Sequence, residues 1–252
     1  MDCLVNQKIL CLVQARMGST RLPGKVLKTL NGIPMICIIM RNLQRSKQIT
    51  KSMVVTSNNP NDDILVDCLK KYNIEYFRGS ENDVLSRFYN VAVKEKADII
   101  VRITADCPLL DPEIVDMIIT EAVAKKTDYC SNAEVRTFPR GYDVEVFTFD
   151  ILKKMFFETK NLDDLEHVTL FINKNLNLFN TLNVTAPQNK HHPEWRVCVD
   201  TEEDLQLIEK IFKYYKNKDL IKYDDVIDLF EKYPDLPNIN KAVKQKTIKN
   251  EI

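Results

Sequence analysis

Between Gln14 and Lys25 the chain reads Gln-Ala-Arg-Met-Gly-Ser-Thr-Arg-Leu-Pro-Gly-Lys, a stretch whose side chains suit the handling of phosphate. Arg16, Arg21 and Lys25 bring cations into a short loop that holds no acidic residue. The apolar run Ile9–Val13 precedes them and reads as a buried strand. Gly18 and Gly24 let the backbone turn sharply and approach a ligand closely. A strand that opens into a glycine-bearing, cationic loop presents amides and charge to a phosphate. The whole chain balances 36 basic against 36 acidic side chains, so the concentration is local and reads as a polyphosphate pocket. Gly18 to Val26 approaches a P-loop, yet one extra residue separates the glycines, and Val26 stands where a Ser or Thr would hold magnesium. A kinase or NTPase of that type is disfavoured, and a metal would have to be held elsewhere.

Carboxylates are available for that. Thr104-Ala-Asp106-Cys-Pro108 ends the strongest apolar run, and Val199-Asp200-Thr201 ends another. In an open parallel sheet ligands bind beyond the carboxyl ends of the strands, so Asp106 and Asp200 are expected to meet near the cationic loop. Two carboxylates with substrate phosphates are a usual way to hold Mg²⁺. Asp200 has a competing reading, because Thr201 and Asp204 match a capping box at the start of a helix. Further along, Arg140-Gly-Tyr-Asp-Val-Glu-Val-Phe147 places Asp143 and Glu145 on one face of a strand, facing either a pocket or open solvent. Glu166-His167 adds one of three histidines, either a ligand or an ordinary packing residue; His191 and His192 lie in a polar loop and receive no role.

These residues need a frame. Strand-like runs at Ile9–Val13, Met53–Thr56, Ile74–Phe77 and Asp98–Thr104 alternate with helical spacing at Ile33–Leu43, Asp62–Lys71, Asp83–Lys94 and Glu113–Ala124. Asp111-Pro112 is a cap followed by proline, a helix start. The β-α-β-α rhythm predicts an α/β fold with a parallel sheet covered on both faces. The second half is less regular: strands are expected at Tyr142–Phe147, Leu178–Val184 and Trp195–Val199, and helices at Asp150–Phe157, Leu162–Asn173, Glu202–Tyr215 and Asp224–Lys232. No repeat or low-complexity linker divides the 252 residues, so a single domain over 1–252 with a helical C-terminal end is expected.

Composition removes other classes. With 44% hydrophobic and 29% charged residues the chain is ordinary for a globular protein. No apolar run of about 18 residues offers a membrane span, and Met1 to Gln7 lacks the basic start of a signal peptide. Seven dispersed cysteines with no C-x-x-C pair fit reduced thiols and a cytoplasmic location. Zero net charge argues against nucleic acid as a partner; the basic tail Lys241–Lys249 is read as a solvated end.

With these residues in view, the chain resembles the cytidylyltransferases that make CMP-activated acidic sugars, within them the spore coat polysaccharide biosynthesis protein F branch, related to CMP-Kdo and CMP-acylneuraminate synthetases. The resemblance rests on Gln14–Leu27, Gly79–Ala92 and Arg102–Pro112, and continues through Arg140–Phe147, Glu166–Thr169, Val199–Leu205 and Pro234–Lys246. It implies a Rossmann-like nucleotidyltransferase fold of the glycosyltransferase-A type, with a mostly parallel central sheet flanked by helices. It implies that Arg16, Ser19, Arg21 and Lys25 bind the CTP triphosphate, with Gln14, Ala15, Gly18, Asp83 and Arg102 also on the nucleotide side. Asp106 and Asp200 fall where the family's magnesium carboxylates lie. Arg140, Asp143, Glu145, Glu166 and His167 would line the acceptor side. The CMP-Kdo enzymes carry a different sequence around the first metal aspartate, which leaves the sugar open.

The expected reaction is in-line attack of an acceptor oxygen on the α-phosphate of CTP, with pyrophosphate leaving. Arg16, Arg21, Lys25, Asp106 and Mg²⁺ would supply positioning and charge neutralisation. The acceptor is expected to be an acidic sugar, and homodimers occur among such relatives. Transfer of another nucleotide to a sugar phosphate or polyol phosphate, and a nucleotide sensor without turnover, remain the alternatives.

Overall fold

The computed structural model describes residues 7–245; Cys3 and the end of the basic tail, including Lys246 and Lys249, lie outside the described residues. The chain opens with β1 (Ile9–Gln14), a hairpin of β2 (Thr29–Leu30) and β3 (Ile33–Pro34), and α1 (Met35–Leu43). Three further β-α steps follow: β4 (Lys51–Ser57) with α2 (Asp63–Lys71), β5 (Tyr76–Gly79) with α3 (Val84–Glu95), and β6 (Ile99–Thr104) with α4 (Pro112–Ala124). The second half holds β7 (Tyr129–Ser131), β8 (Glu145–Thr148), α5 (Phe149–Glu158), α6 (Leu162–His167), α7 (Leu170–Lys174) and β9 (Thr181–Asn183). It closes with α8 (Glu202–Tyr214) and α9 (Tyr223–Lys232).

The main sheet has seven strands in the order β5-β4-β1-β6-β8-β7-β9, and β8 alone runs against its neighbours β6 and β7. This is the mostly parallel sheet, flanked by helices, that the alternation predicts. β1 is apolar on both faces because both are covered. Ile9, Cys11 and Val13 enter one core with side chains of α1, α4, α8 and α9; Leu10 and Leu12 enter the other with α3 and α5. Gln14 pairs with Thr104 in the ladder between β1 and β6, so these strands end together. The loops that follow them open on one edge of the sheet, and that edge carries the site.

The second half departs from the sequence expectations in physically explicable ways. Trp195–Val199 is no strand: its one ladder contact is an isolated bridge between Arg140 and Arg196. Its apolar alternation comes from burial of Val197 and Val199, with Trp195 stacked on His192 and set edge-on to Phe230. The strand expected at Tyr142–Phe147 begins only at Glu145; upstream, the Asn132 side chain replaces a ladder, donating to Tyr142 O (2.8 Å) and accepting from Val144 N (2.9 Å). Tyr129–Ser131, too short for its periodicity to register, is a buried strand. The single helix expected over Leu162–Asn173 is two helices broken at Val168. Val168 sits at φ 50°, ψ −65°, and Thr169 N–H donates to His167 C=O across it at 2.5 Å. That is the rarer, strained form of γ-turn. A buried β-branched residue in this conformation costs about 1–3 kcal/mol, which the surrounding core must offset. Earlier, Asn31-Gly32 turns the β2–β3 hairpin with both residues at positive φ, as that dipeptide predicts. The helix expected from Ile33 therefore starts at Met35.

Gly141 fastens two loops at the site's edge. At φ 118° it lies so close to the next segment that a Cβ would meet Val197 C at 2.7 Å and Cys198 N at 2.8 Å. The same junction is stitched by Arg140 N to Trp195 O (3.1 Å) and Val197 N to Arg140 O (2.7 Å). Replacing Gly141 with Ala forces backbone apart as well as straining φ, and should cost about 3 kcal/mol or more. Gly32→Ala, at φ 81° with nothing within 4 Å, should cost only about 1 kcal/mol. Urea midpoints of the two variants check the difference; equal losses would mean that the Gly141 junction can relax.

Candidate active site

The cationic loop is shaped from beneath by Asp62, a buried carboxylate at the foot of α2. It accepts Met17 N–H at 2.7 Å, Thr56 Oγ1 at 3.2 Å and Ser57 N–H at 3.3 Å, and also bonds the Ser57 hydroxyl. The loop closes on itself where Met17 C=O accepts from Ser19 N (2.8 Å) and Gly24 N (3.2 Å). Gly24, at φ 67°, then turns the chain into the short 3-10 turn Lys25–Leu27. Gly18 stands at the centre of the tight turn that Ser19 N closes on Met17 C=O, but that turn does not demand glycine: Gly18 has no positive φ, and a Cβ there would meet nothing nearer than 4.0 Å.

Lys25 is the hub. Its ammonium donates to Asp106 Oδ2 (3.1 Å), Asp200 Oδ1 (2.8 Å) and the carbonyl of Val199 (2.9 Å). Asp106 is held by Thr104 Oγ1 (2.6 Å), and its carbonyl accepts Val199 N–H (2.8 Å). Asp200 also pairs with Arg21 (2.9 Å) and Arg196 (2.7 Å). Behind it, Arg196 grips the fully buried Asp204 through two nitrogens, at 2.8 and 3.1 Å. The competing reading of Asp200 as a helix cap is therefore set aside: Thr201 and Asp204 form the capping box, and the Asp200 side chain turns to the cations. Burial would raise the Asp200 carboxyl, but the Lys25 charge, hydrogen bonds from Lys25 and Arg196, and Arg21 bring it down to about 2. Lys25 responds in the opposite sense: burial lowers it, the two aspartates outweigh burial, and the ammonium is held more tightly protonated than usual.

These groups surround a cavity of about 270 Å³. Gln14, Ala15, Arg16, Gly18, Ser19, Arg21, Lys25, Asp106 and Asp200 all line it, so residues 186 positions apart in sequence meet. Asp83 does not join them; it caps α3 by accepting Ser86 N–H at 2.7 Å. Arg102, placed on the nucleotide side by resemblance, lines a second cavity of about 320 Å³ and donates to the side-chain oxygen of Gln14, in the wall of the first, at 3.2 Å.

Arg140, Asp143, Glu145 and His167 line that second cavity too, with Arg136 and Thr169, which the sequence did not single out. Thr104 lines both cavities and forms the partition between them. Glu145 is committed to Arg102 and accepts the Tyr129 hydroxyl at 2.7 Å. Burial would raise its carboxyl, yet Arg102 and hydrogen bonds from Thr169 and Tyr129 leave it lowered. Asp143 is held by both terminal nitrogens of Arg136, at 2.5 and 3.2 Å, whereas Arg140 stands off at 4.0 Å. Glu166, expected on the acceptor side, is not among the residues that line either cavity; it pairs with Arg16 of the first at 2.8 Å.

Arg136 and Arg196 were missed for want of a local signal, since each acts on a carboxylate several residues away around a bend. The tail is also less detached than its composition implied: Lys244 C=O accepts from Arg21 (3.4 Å), and Gln245 accepts from Arg196 (2.7 Å). Among the described residues no group of three or more His, Cys, Asp and Glu side chains converges as a metal cage. No helix among them is long and apolar enough to cross a membrane.

The chain is 33% identical over 240 residues to spore coat polysaccharide biosynthesis protein SpsF of Bacillus subtilis, covering 93% of this chain and 98% of that one. A solved cytidylyltransferase from Leptospira borgpetersenii superposes with a TM-score of 0.87 at 30% identity, over 97% of this chain and 100% of that one. The structure of CMP:2-keto-3-deoxy-manno-octonic acid synthetase complexed with CTP shares the fold, with a TM-score of 0.61 at 18% identity over 82% of this chain and 99% of that one. The sequence pattern of the cytidylyltransferases matches residues 10–229, and the chain belongs to that family of CTP-using nucleotidyltransferases.

Proposed function

We propose that this protein transfers CMP from CTP to a hydroxyl of an acidic sugar, releasing pyrophosphate, as a step in surface polysaccharide synthesis. The carrying observation is the joining of two unlike cavities at Thr104: a cationic cradle with two carboxylates on one side, an arginine-lined pocket on the other. In the second cavity Arg102 and Arg136 are matched by Glu145 and Asp143. Arg140 is the arginine placed to meet a further anion, and a guanidinium takes a carboxylate bidentately. A ligand bearing one carboxylate would complete the charge balance. The relatives whose names concern spore coat polysaccharide and 2-keto-3-deoxy-manno-octonic acid support the same reading.

The donor set fits Mg²⁺. Asp106 and Asp200 offer hard oxygens that already converge on one cation, the Lys25 ammonium, and Mg²⁺ is commonly bound by one or two carboxylates plus substrate phosphates. Bound there by Asp106 and Asp200, the ion would supply charge neutralisation to the triphosphate. The chain's own part is positional. Gln14 and Ala15, in the wall of the same cavity, would lie on the side of the base, while Arg16, Ser19, Arg21 and Lys25 hold the phosphates and offset charge that grows on pyrophosphate. A cytoplasmic setting belongs to the same reading, supported by the free state of the six described cysteines. So does a homodimer, which sedimentation would measure.

Calorimetric titration with each nucleoside triphosphate, with and without Mg²⁺, tests the nucleotide half. Magnesium-enhanced binding of CTP above the others is expected, and preference for another triphosphate would discard the CMP product. Asp106→Asn should lower kcat about 10²–10³-fold with an unchanged circular dichroism spectrum; near-wild-type turnover would remove Asp106 from the site. Arg140→Ala should raise KM for the acidic acceptor at least about tenfold and leave KM for CTP alone; an unchanged acceptor KM would count against a carboxylate ligand. Asp200 also predicts an acid limb of stability. Its carboxyl falls from an ordinary 3.8 to about 2 on folding. Its contribution, about 2 kcal/mol, is therefore fully present above about pH 4 and lost as pH falls toward 2. In Asp200→Asn, urea midpoints between pH 5 and 2 should fall less steeply than in the parent.

A further inference from the structure

The broken helix at Val168 has a functional counterpart in the second cavity. In an unbroken α-helix residues 167 and 169 would point about 200° apart, to opposite faces. The strained turn instead brings both His167 and Thr169 to the cavity wall, with the Val168 side chain fully buried in the core beneath. Thr169 is spent on Glu145, which also receives Arg102 and Tyr129. Asp143 is spent on Arg136. Carboxylates tied to arginine are poor proton acceptors, whereas a neutral imidazole needs no cation and keeps a ring lone pair for a proton. Strain at a single residue that aims a side chain into a pocket is a recurrent mark of a working group.

We propose that His167 is the general base of the transfer, accepting the proton of the acceptor hydroxyl that attacks the α-phosphate. The inference rests on the reading of this cavity as the acceptor subsite. The hydroxyl oxygen forms the new bond to the α-phosphorus, and its proton passes to a His167 ring nitrogen. The bond from the α-phosphorus to the bridging oxygen breaks, its electron pair leaving with pyrophosphate, and the imidazolium then returns its proton to water. The charged groups that face the ring are Asp163 and Glu166 on α6, Arg16 on the cationic loop, Arg102 on β6, and Arg136, Arg140, Asp143 and Glu145 around the cavity. Burial, the largest influence, and the positive charge of Arg102 hold the imidazole below its ordinary 6.5 against the opposing pull of Glu166. The ring is accordingly neutral and ready to accept a proton at pH 7.

The test pairs kinetics with spectroscopy. The wild-type kcat profile should show an acid limb with a midpoint below 6.5, using 2-keto-3-deoxy-manno-octonic acid and N-acetylneuraminic acid as acceptors. His167→Gln should lower kcat about 10²–10³-fold, abolish that limb and leave CTP affinity unchanged. Retained kcat, or an acid limb that survives in the variant, overturns the proposal. If neither acid is used but a sugar phosphate or polyol phosphate is, the acidic-sugar reading falls, and His167→Gln is judged by the same criteria on that acceptor. NMR titration of the wild-type histidines, with His167 assigned through its sequential backbone connectivities in the wild-type protein, is independent of both turnover and the variant's folding. A ring that titrates at or above 6.5, or that does not respond to any acceptor in the presence of CTP, overturns the proposal; one that titrates lower and shifts with acceptor upholds it.

Discussion

One ammonium group organises this molecule's functional edge. Lys25 Nζ reaches Asp106 and Asp200 across sequence separations of 81 and 175 residues. It thereby ties the loop after β1 to the loop after β6 and to the segment before α8. Two carboxylates brought this close would repel one another, and a charge removed from water must be matched by partners. The cation answers both demands, and Arg21 and Arg196 extend the neutralisation outward and inward. Asp204, with no exposed surface, is affordable only because Arg196, the Asn240 amide and backbone amides at the start of α8 saturate it.

The rest of the edge consists of supports that hold this network still. Asp62 pins the first turn of the cationic loop to the end of β4. Gly141 lets the Arg140 loop seat directly on the backbone of Val197 and Cys198, two residues before Asp200. The two cavities thus share structural supports: Thr104 in the wall of both, and the Gly141 junction that seats the Arg140 loop on the segment leading to Asp200. Electrostatic catalysis depends on such fixed placement, since dipoles and charges that need not reorganise during the reaction contribute most. The strain at Val168 belongs with these supports, stored in a backbone that a packed core keeps from relaxing.

Much of the first half was legible because its signals are local. Continuous apolar runs such as Ile9–Val13 mark strands covered on both sides, and Asp111-Pro112 and Asn31-Gly32 each encode a backbone geometry within two residues. The cationic loop was readable for the same reason: Arg16, Arg21 and Lys25 lie within one turn of chain. Where contact partners are remote, the local pattern misled. Val197 and Val199 alternate as in a strand, but burial against the core, not a ladder, explains them. The Leu162–Asn173 spacing is helical, and no residue in it announces a turn with positive φ at a valine.

Residue types and short-range order alone therefore determined the α/β class, the glycine-bearing cationic loop and the choice of Asp106 and Asp200 as the carboxylates expected beside it, because these depend on chain stiffness, hydrophobic period and charge within a few residues. Only the tertiary structure decided that Asp200 serves Lys25 and leaves the helix cap to Thr201. It also decided that Arg136 neutralises Asp143 while Arg140 stands apart, and that His167 and Thr169 share a wall. Those outcomes turn on which of several equally charged groups come within hydrogen-bond reach, and that is a property of packing between distant segments rather than of any local stretch.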